Sequence, residues 1–474
     1  MKLIKNMFYN ASYQMLALIL PLVTVPYVAR VLSPEGVGLN AYTNSIVTYF
    51  TLAGALGIGL YGNREIAFVQ KDKYQRSKLF CELVILKCCS VGLATLLYLG
   101  FVLTRDKWQI YFLLQGINLL ATMFDISWYF IGIEDFKKIV IRNTIVKLTT
   151  VILTFVLVND KGDLGLYIFL VAFSMFLGNL TVWPFLKGEV DRVPLKQLQI
   201  LRHVLPAIQL FLPQITTQIY LSLNKSMLGA MDSVVSAGYF DQSDKVIRVL
   251  FTLVAALGGV FLPRLSSLFS ENRESEAKYL LLKLIDLSNA ISLLMIGGVI
   301  GVSSTFAVFF FGEGYSEVGE LMAVQSLMIL MISYGNALGT QYLLAARRTR
   351  AYTMSAIAGL ITNIILNFVL IPKMGAMGAI IATVTTEFVV SIYQAVSLRD
   401  VFTFGELTHG LWKYALASIA VVISLQFLGK VLPVTLLGYS IQGAVGVILY
   451  IFVLLLLKAP ILTIISDFRR SKDR

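Results

Sequence analysis

Uncharged stretches long enough to cross a membrane alternate with short polar joints along the whole chain. No charged residue lies between Lys5 and Arg30, and none lies between Glu35 and Arg64. A hydrocarbon core about 30 Å thick is crossed by roughly 20 residues of α-helix. Each such stretch therefore predicts a transmembrane helix before it predicts any other element.

The pattern predicts an all-α polytopic membrane protein with about fourteen transmembrane helices. The predicted spans are 8–31, 37–62, 79–103, 108–132, 141–158, 164–186, 206–230, 237–262, 280–311, 317–345, 352–372, 375–398, 411–430 and 436–458. Composition agrees, because apolar residues make up 57% of the chain and charged residues only 14%, against roughly 25% charged residues in soluble domains. No joint is long enough to form a soluble domain.

Basic residues are distributed unequally between the two sides of the predicted membrane. The termini and the joints on one side carry 27 Lys and Arg residues, and the joints on the other side carry 6. Because cytoplasmic loops carry the excess of Lys and Arg, both termini are predicted to be cytoplasmic. The net charge of +12 is then explained by topology and by contact with anionic membrane lipids, so no nucleic-acid partner is expected.

The joint 187–205 divides the first twelve spans into two sets of six. We therefore predict an N-terminal six-helix lobe over residues 1–186, a cytoplasmic linker over 187–205 and a C-terminal six-helix lobe over 206–398. Two extra helices and a cytoplasmic tail make up residues 399–474. Two lobes of the same span order are expected to form a V-shaped central cleft.

The sequence lacks the usual signals of an enzyme. It has no GxxxxGK[ST] phosphate loop, and its two histidines, His203 and His409, both lie at the predicted cytoplasmic edge. The three cysteines fall within span three and have no metal-ligand spacing. We therefore expect a protein that is not an enzyme and holds no cofactor or metal, whose function depends on polar and charged groups inside the membrane, where such groups are costly.

Span eight carries the densest set of intramembrane charges. Asp241, Asp244, Lys245 and Arg248 follow at i, i+3, i+4 and i+7, so all four lie on one face of a helix. The acid-before-base spacing at i,i+4 allows local pairing. Two interpretations remain open: a self-neutralised stripe without a ligand, or the lining of a water-filled cleft that meets substrate.

Further polar and basic side chains are candidates for the same cleft. The matching face of span two, which also contains Thr43, carries Asn40, Asn44 and Thr48. Basic groups lie at Lys225 in span seven and at Arg30 near the outer end of span one. The predicted substrate-binding residues are the four charges of span eight together with these five.

Other charged residues lie inside the predicted spans. Lys87, Asp125 and Lys147, in spans three to five, form a candidate ion network that is either structural or involved in binding substrate or protons. Glu82 and Asp286 lie close to span ends, so their carboxylates are expected to reach the membrane surface.

Short distinctive motifs lie at the ends of several predicted spans. They are Pro21-x-x-Thr24-x-Pro26-Tyr27-x-x-Arg30-Val31-Leu32, Tyr61-Gly62-Asn63-Arg64-Glu65-Ile66-Ala67, Asp125-Ile126-Ser127-Trp128-Tyr129-Phe130-x-Gly132, Lys225-Ser226-Met227-Leu228-Gly229 and Leu262-Pro263-Arg264-Leu265-Ser266. With these residues, the region 10–266 resembles the Wzx-type flippases for lipid-linked oligosaccharide repeat units, within the multidrug/oligosaccharidyl-lipid/polysaccharide exporter superfamily. Family members often carry an aspartate before the lysine of the fourth motif, where this sequence has Asn224.

The resemblance implies a flippase of the bacterial cytoplasmic membrane that works by alternating access of its two lobes. Its substrate would be an oligosaccharide repeat unit on undecaprenyl pyrophosphate, moved from the inner to the outer leaflet for capsule or O-antigen assembly. The implied partners are this glycolipid, the surrounding membrane lipids and, as a candidate, the polysaccharide polymerase.

Two other functions compete with this one. A cation-coupled drug exporter of the same superfamily would need acids to dominate the cleft, whereas Lys225, Lys245 and Arg248 match or outnumber Asp241 and Asp244. A membrane glycosyltransferase or polymerase would usually need a sizeable external loop, and no joint is that long. The drug exporter is therefore kept as the alternative.

The unequal distribution of basic residues generates a topology prediction. Reporter fusions after Lys187 and after Arg474 should both report the cytoplasm, because both sites lie in the Lys- and Arg-rich set of joints. A fusion after Lys430, in the opposite set, is the control and should report the outside. An external signal at Lys187 would contradict the division into six and six spans.

Overall fold

A computed structural model describes the backbone of residues 2–462, and the side chains of residues 16, 19–211, 215, 218–256, 258–259 and 261–462. Within this part of the chain every regular element is a helix, so the predicted all-α class is confirmed. The predicted cytoplasmic tail, with its basic residues between 469 and 474, lies outside the described residues. The side chains of Lys2 and Lys5 lie outside them too.

Over residues 2–462, seventeen α-helices follow one another. They are α1 (Lys2–Ala55), α2 (Ile58–Phe68), α3 (Lys73–Leu103), α4 (Gln109–Gln115), α5 (Ile117–Phe124), α6 (Ser127–Gly132), α7 (Phe136–Leu157), α8 (Leu164–Leu180), α9 (Val204–Met231), α10 (Val234–Ser270), α11 (Glu274–Phe311), α12 (Ser316–Gln325), α13 (Met328–Tyr334), α14 (Thr349–Ser397), α15 (Phe404–Leu407), α16 (Leu411–Val431) and α17 (Leu436–Leu456). A π-helical segment, Gly335–Leu343, follows α13 directly.

Two of these helices each contain two predicted spans. In α1 the helical backbone is interrupted at Ser33, with φ 60° and ψ 169°, immediately before Pro34, which disfavours helical geometry in the preceding residue. In α14 the interruption is Gly375, with φ 52° and ψ −129°. A Cβ built on Gly378 would lie 2.5 Å from the carbonyl oxygen of Leu370, so the chain folds back on itself at Gly375.

The described helices are long and apolar enough for a polytopic membrane protein. Among the described residues, 10 helices could cross a membrane, or 11 if the bent helix over 234–270 is counted as one span. Two of the 10, within α1 and α14, contain an internal break. The fold class predicted from the hydrophobic pattern is therefore confirmed.

The chain divides into two compact units, which are described separately. The N-terminal unit comprises Met1–Gly229 and the C-terminal unit comprises Ala230–Arg474. The predicted linker 187–205 and most of α9 thus belong to the N-terminal unit by contact. The division into two six-helix lobes around a V-shaped cleft remains a prediction.

Aromatic residues of α6 form the centre of the N-terminal unit. Trp128 is 2% exposed, and Tyr129 and Phe130 are fully buried. Phe80 of α3 stacks on the Trp128 ring at a centroid distance of 5.7 Å. A Cβ on Gly62 of α2 would lie 2.6 Å from the same ring, so the glycine of this motif lets α2 approach the indole closely.

The segment predicted as a linker is bound to the start of α3. Arg76 pairs with Glu189 at 3.0 Å and Lys73 with Asp191 at 2.7 Å. The hydroxyl of Ser77 accepts a 2.9 Å hydrogen bond from the backbone N–H of Asp191. Residues 187–191 therefore form part of the N-terminal unit.

Glu82 joins the same segment to α3 from inside the protein. Its side chain is 0% exposed, and it contacts Arg202 and His203 at 2.8 Å each and the backbone N–H of Gln199 at 2.7 Å. The other ring nitrogen of His203 lies 2.8 Å from the hydroxyl of Tyr61. The expectation that Glu82 reaches the membrane surface is wrong, because its fully buried carboxylate is held by His203, by the Gln199 N–H and by the partly exposed Arg202.

The C-terminal unit is built around α11. Small residues bring neighbouring helices close to it: a Cβ on Gly297 would lie 2.7 Å from the hydroxyl of Ser418 in α16. Farther along α11, a Cβ on Gly301 would lie 2.7 Å from the Leu425 side chain. Close approach through small residues is the usual means of helix packing in membranes, so these glycines stabilise the α11–α16 contact.

The buried carboxylate of Glu82 generates a stability prediction. Glu82→Ala leaves His203 and the Gln199 N–H without their acceptor, at a cost of about 1–3 kcal/mol for each unsatisfied buried group. The thermal midpoint of the purified protein in detergent should fall clearly. Glu276→Ala, which removes an exposed carboxylate paired with Arg273, is the matched control and should cost about 0–1 kcal/mol. Equal shifts for both variants would contradict the structural role of Glu82.

Candidate functional site

Helix α10 carries the four charges predicted for the cleft. The helix begins after Ser233, whose side chain accepts a 3.1 Å hydrogen bond from the backbone N–H of Ser236. A serine in this position satisfies one of the free N–H groups at a helix start. The helix then continues without interruption through residues 241–248, so the four side chains lie on one face.

Both predicted i,i+4 pairs on α10 are formed. The ammonium of Lys245 lies 2.6 Å from the carboxylate of Asp241, and the guanidinium of Arg248 lies 2.7 Å from that of Asp244. The two acids are 5% and 7% exposed, whereas the bases are 42% and 33% exposed. The positive groups therefore face outward and the negative groups lie behind them.

A glutamine that the sequence analysis missed holds Asp244 in place. The Gln325 amide of α12 donates a 3.1 Å hydrogen bond to Asp244 and accepts one of 2.5 Å from Ser243. Both oxygens of Asp244 are thus occupied, one by Arg248 and one by Gln325. The only sign of this role in the sequence is that Gln325 is a polar residue within an apolar span.

In the N-terminal unit, the polar face of span two is part of an amide network. The Gln115 amide of α4 donates to Asn40 at 3.1 Å and accepts from Asn44 at 3.3 Å and from Asn118 at 2.9 Å. Gln115 is 2% exposed, whereas Asn44 is exposed. The Thr48 hydroxyl donates to the backbone carbonyl of Asn44 at 2.7 Å. The buried glutamine, which was not predicted, therefore orients the exposed amide.

Lys225 and Arg30 also belong to the N-terminal unit. Lys225 is half-buried in α9 and Arg30 is exposed on α1. Beside Lys225, the Ser226 hydroxyl lies 2.7 Å from that of Tyr49, and a Cβ on Gly229 would lie 2.2 Å from the Tyr42 ring. The end of α9 thus packs tightly on α1. A single site shared by these residues and α10 remains a prediction.

Two members of the predicted ion network are in contact. The Lys87 ammonium donates a 2.7 Å hydrogen bond to the backbone carbonyl of Asp125 and lies 3.8 Å from its carboxylate. That carboxylate accepts a 2.9 Å hydrogen bond from the Ser127 N–H at the start of α6. Lys87 therefore stabilises the break between α5 and α6. Lys147 lies half-buried on α7, and its place in the network remains a prediction.

A basic cavity of about 620 Å³ lies at the start of α14. It is lined by Arg347, Arg348 and Arg350 together with Tyr393. Arg348 binds Asp400 through two hydrogen bonds of 2.9 and 2.6 Å, and this guanidinium holds the pKa of the Asp400 carboxyl below its ordinary value. The Arg348 guanidinium is therefore mainly used to hold Asp400 in the segment after α14.

The described residues contain no group of three or more His, Cys, Asp or Glu side chains that could hold a metal ion. Exposed cationic heads on α10 can bind an anion, and the amides of span two can bind hydroxyl groups.

This chain is similar in sequence and in fold to several known transport proteins. A putative O-antigen transporter of Shigella dysenteriae is 26% identical over 388 residues, which cover 80% of this chain and 96% of that protein. Among solved structures, the lipid II flippase MurJ in an inward closed conformation matches with a TM-score of 0.71 and 17% identity, over 99% of this chain and 100% of that one. An inward-facing multidrug resistance MATE family transporter matches with a TM-score of 0.61 and 13% identity, over 80% of this chain and 93% of that one.

The structural matches show a shared fold, and the sequence match shows the family. The model of a family described as polysaccharide biosynthesis protein matches residues 3–269, which is more than half of the chain. This region contains all the motifs on which the resemblance was based. The chain belongs to the polysaccharide biosynthesis protein family.

Proposed function

We propose that this protein is a flippase that moves an undecaprenyl-pyrophosphate-linked oligosaccharide repeat unit from the inner to the outer leaflet of the bacterial cytoplasmic membrane. The observation that carries the proposal is the order of charge on α10, with partly exposed Lys245 and Arg248 in front of buried Asp241 and Asp244. The family match and a relative named as a putative O-antigen transporter support it.

A pyrophosphate group inside the membrane loses the water that stabilises its charge. Cationic side chains of the protein must therefore stabilise it instead. Lys245 and Arg248 are three residues apart on one helix, which places their Cβ atoms about 5–6 Å apart. A diphosphate presents several oxygens over a similar distance. Outward movement of its negative charge is also favoured by the membrane potential, by about 2.3 kcal/mol per charge per 100 mV.

The oligosaccharide needs hydrogen-bonding groups along its path. The exposed amide of Asn44, held by Gln115, offers a donor and an acceptor that are already oriented. Fixed polar groups lose little conformational entropy when they bind a ligand. We assign to the amide network of span two the binding of sugar hydroxyls.

Transport is assigned to alternating access of two lobes, with both termini in the cytoplasm. The polysaccharide polymerase is a candidate partner.

The alternative, a cation-coupled drug exporter, fits the charge order less well. The MATE family match shows a shared fold at 13% identity, and it supplies no substrate. A cationic drug approaching α10 would meet the bases first, because Lys245 is 42% exposed and Asp241 only 5%. The groups that a ligand meets first on this face are therefore cationic, which favours an anionic ligand over a cationic one.

Arg248 provides the test of anion binding. Arg248→Gln should lower surface polysaccharide at least about tenfold in cells that lack the native gene, because a charge-assisted contact contributes about 1.5–3 kcal/mol. Asp244→Asn added to it should give no rescue, because the defect is the lost anion contact of Arg248 and not an unpaired Asp244, which in the single variant keeps Gln325 as a partner. Arg248→Lys should keep partial activity, because the charge survives but the bidentate fork is lost.

The matched control for this test is Arg273→Gln. Arg273 is also an arginine paired with acids, Glu271 and Glu276, but it lies between α10 and α11. Its replacement should leave polysaccharide export unchanged at equal protein level. Full rescue of Arg248→Gln by Asp244→Asn would show that the pair is structural and would contradict the proposed function.

Accessibility of single cysteines tests whether the proposed faces meet water. In a variant without the native cysteines, Asn44→Cys and Lys245→Cys should react with a membrane-impermeant thiol reagent, because both positions are exposed on polar faces. Ser243→Cys should stay unreacted, since Ser243 is 0% exposed. Leu253→Cys, at an exposed apolar position, is the lipid-facing control. Protection of Asn44→Cys and Lys245→Cys alike would mean that neither face lines a water-filled path.

A further inference from the structure

A second cavity, of about 560 Å³, lies in the C-terminal unit away from α10. Its wall is formed by the early turns of α11, by α15 and the residues around it, and by Pro460 after α17. Asp286 and Asn289 of α11 both lie in this wall. The proposed transport function assigns no role to either residue.

One oxygen of Asp286 is held by a hydrogen bond whose direction is fixed. The Tyr414 hydroxyl of α16 lies 2.7 Å from Asp286 Oδ1 and accepts a 3.0 Å hydrogen bond from the backbone N–H of Ile461. The single hydroxyl proton of Tyr414 is therefore directed at Asp286. The expectation that Asp286 reaches the membrane surface is wrong, because its carboxyl group is tied to α16.

The amide of Asn289 is fixed in a similar way. Its Nδ2 donates a 3.1 Å hydrogen bond to the Tyr334 hydroxyl of α13. That hydroxyl donates in turn to the backbone carbonyl of Leu407 at 2.8 Å. Because Tyr334 has only one proton to give, Asn289 must present its NH₂ group to Tyr334 and turn its carbonyl oxygen the other way.

Two buried acceptor oxygens are left over. Among the described residues, neither Asp286 Oδ2 nor Asn289 Oδ1 has a hydrogen-bond partner. Asn289 is 1% exposed. The two residues are three apart on α11, so their side chains are neighbours on one helix face. Both atoms are acceptors, one of them on a carboxylate, and neither is matched by a donor among the described residues.

We propose that Asp286 binds a proton on Oδ2 and donates it in a hydrogen bond to Asn289 Oδ1. One proton then satisfies both atoms. It is taken up from water in the cavity, forms the Oδ2–H bond and neutralises the carboxylate, and it returns to the same water when that bond breaks. The site is a buried proton-binding site on the side predicted to be cytoplasmic.

The proton links the packing of several helices. With the proton bound, Asp286 accepts from Tyr414 of α16 and donates within α11. Without it, both acceptor oxygens stay unsatisfied and Asp286 is charged while only one of its oxygens accepts a hydrogen bond, which is costly for buried atoms. Loss of the proton should therefore loosen the contact of α11 with α16, so that stability falls as the pH rises.

Other titratable groups surround this site. They are Lys283 on α11, Glu406 on α15, His409 after α15, Tyr334 on α13, Tyr414 on α16 and Tyr450 on α17. Glu406 is paired with Lys278 at 2.7 Å, and Tyr450 donates to the backbone carbonyl of Ala290 at 2.7 Å. His409 is exposed in the cavity wall, so it is the group whose titration must be separated from that of Asp286.

A reversed Asn289 amide is the competing explanation. Its NH₂ group would then face an ionised Asp286 and satisfy it without a proton. Tyr334 would have to turn its proton toward Asn289, and the Leu407 carbonyl would lose its donor. This arrangement still leaves one acceptor unsatisfied, the Leu407 carbonyl, whereas a proton on Asp286 leaves none.

Infrared difference spectroscopy on the purified full-length protein distinguishes the two arrangements, and it does not depend on transport. At neutral pH the wild-type protein should show the C=O stretching band of a protonated carboxylic acid, and Asp286→Asn should lose it. Asn289→Leu, which removes the acceptor, should shift the band. A spectrum in which Asp286→Asn removes no such band would overturn the proposal.

The pH dependence of the thermal midpoint gives a second measurement. The midpoint of the wild-type protein should fall as the pH rises, and Asp286→Asn should flatten this dependence, because its amide can donate permanently to Asn289 Oδ1. His409→Asn is the matched control and should keep the dependence. If the dependence disappears in His409→Asn and persists in Asp286→Asn, histidine is the titrating group and Asp286 binds no proton.

Discussion

A charge in the hydrocarbon core must find its partner within the protein, because the surrounding lipid supplies none. This constraint explains most of the polar contacts in both units. Lys87 is held by a backbone carbonyl at a helix break, and Glu82 is closed in by His203 and Arg202. Each buried charge thereby connects elements that are distant in sequence, and in this way the positions of the helices are fixed.

The same constraint shapes the backbone. Lipid cannot satisfy free N–H and C=O groups, so a break in a spanning helix must be satisfied by the protein itself. The break between α5 and α6 is satisfied by Lys87 and by the capping carboxylate of Asp125. The aromatic residues that follow Asp125 fill the centre of the N-terminal unit. In this chain the motif that begins at Asp125 therefore acts mainly in folding.

Local spacing allowed some features to be predicted from the sequence. The charge pairs on α10 follow from the i,i+4 rule, since both partners lie on one helix. Gln325 and Gln115 were missed because their importance comes from partners on other helices. Glu82 and Asp286 were misjudged for the same reason: distance from a span end predicts how far a side chain can reach, but the donors of Tyr414 and His203 become visible only in three dimensions.

The charge order on α10 also bears on how a carrier could return empty. In the empty site Lys245 and Arg248 are neutralised by Asp241 and Asp244, so no unpaired charge is left in the membrane. An anionic ligand would approach the exposed bases without first displacing the buried acids, and the i,i+4 pairs would re-form at once after release. A site lined by bases alone would bind an anionic ligand more tightly. It would, however, carry uncompensated positive charge while the empty protein changes conformation. If α10 binds the substrate as proposed, the paired arrangement limits affinity and in exchange keeps the empty site neutral, so that it can change conformation without unpaired charge.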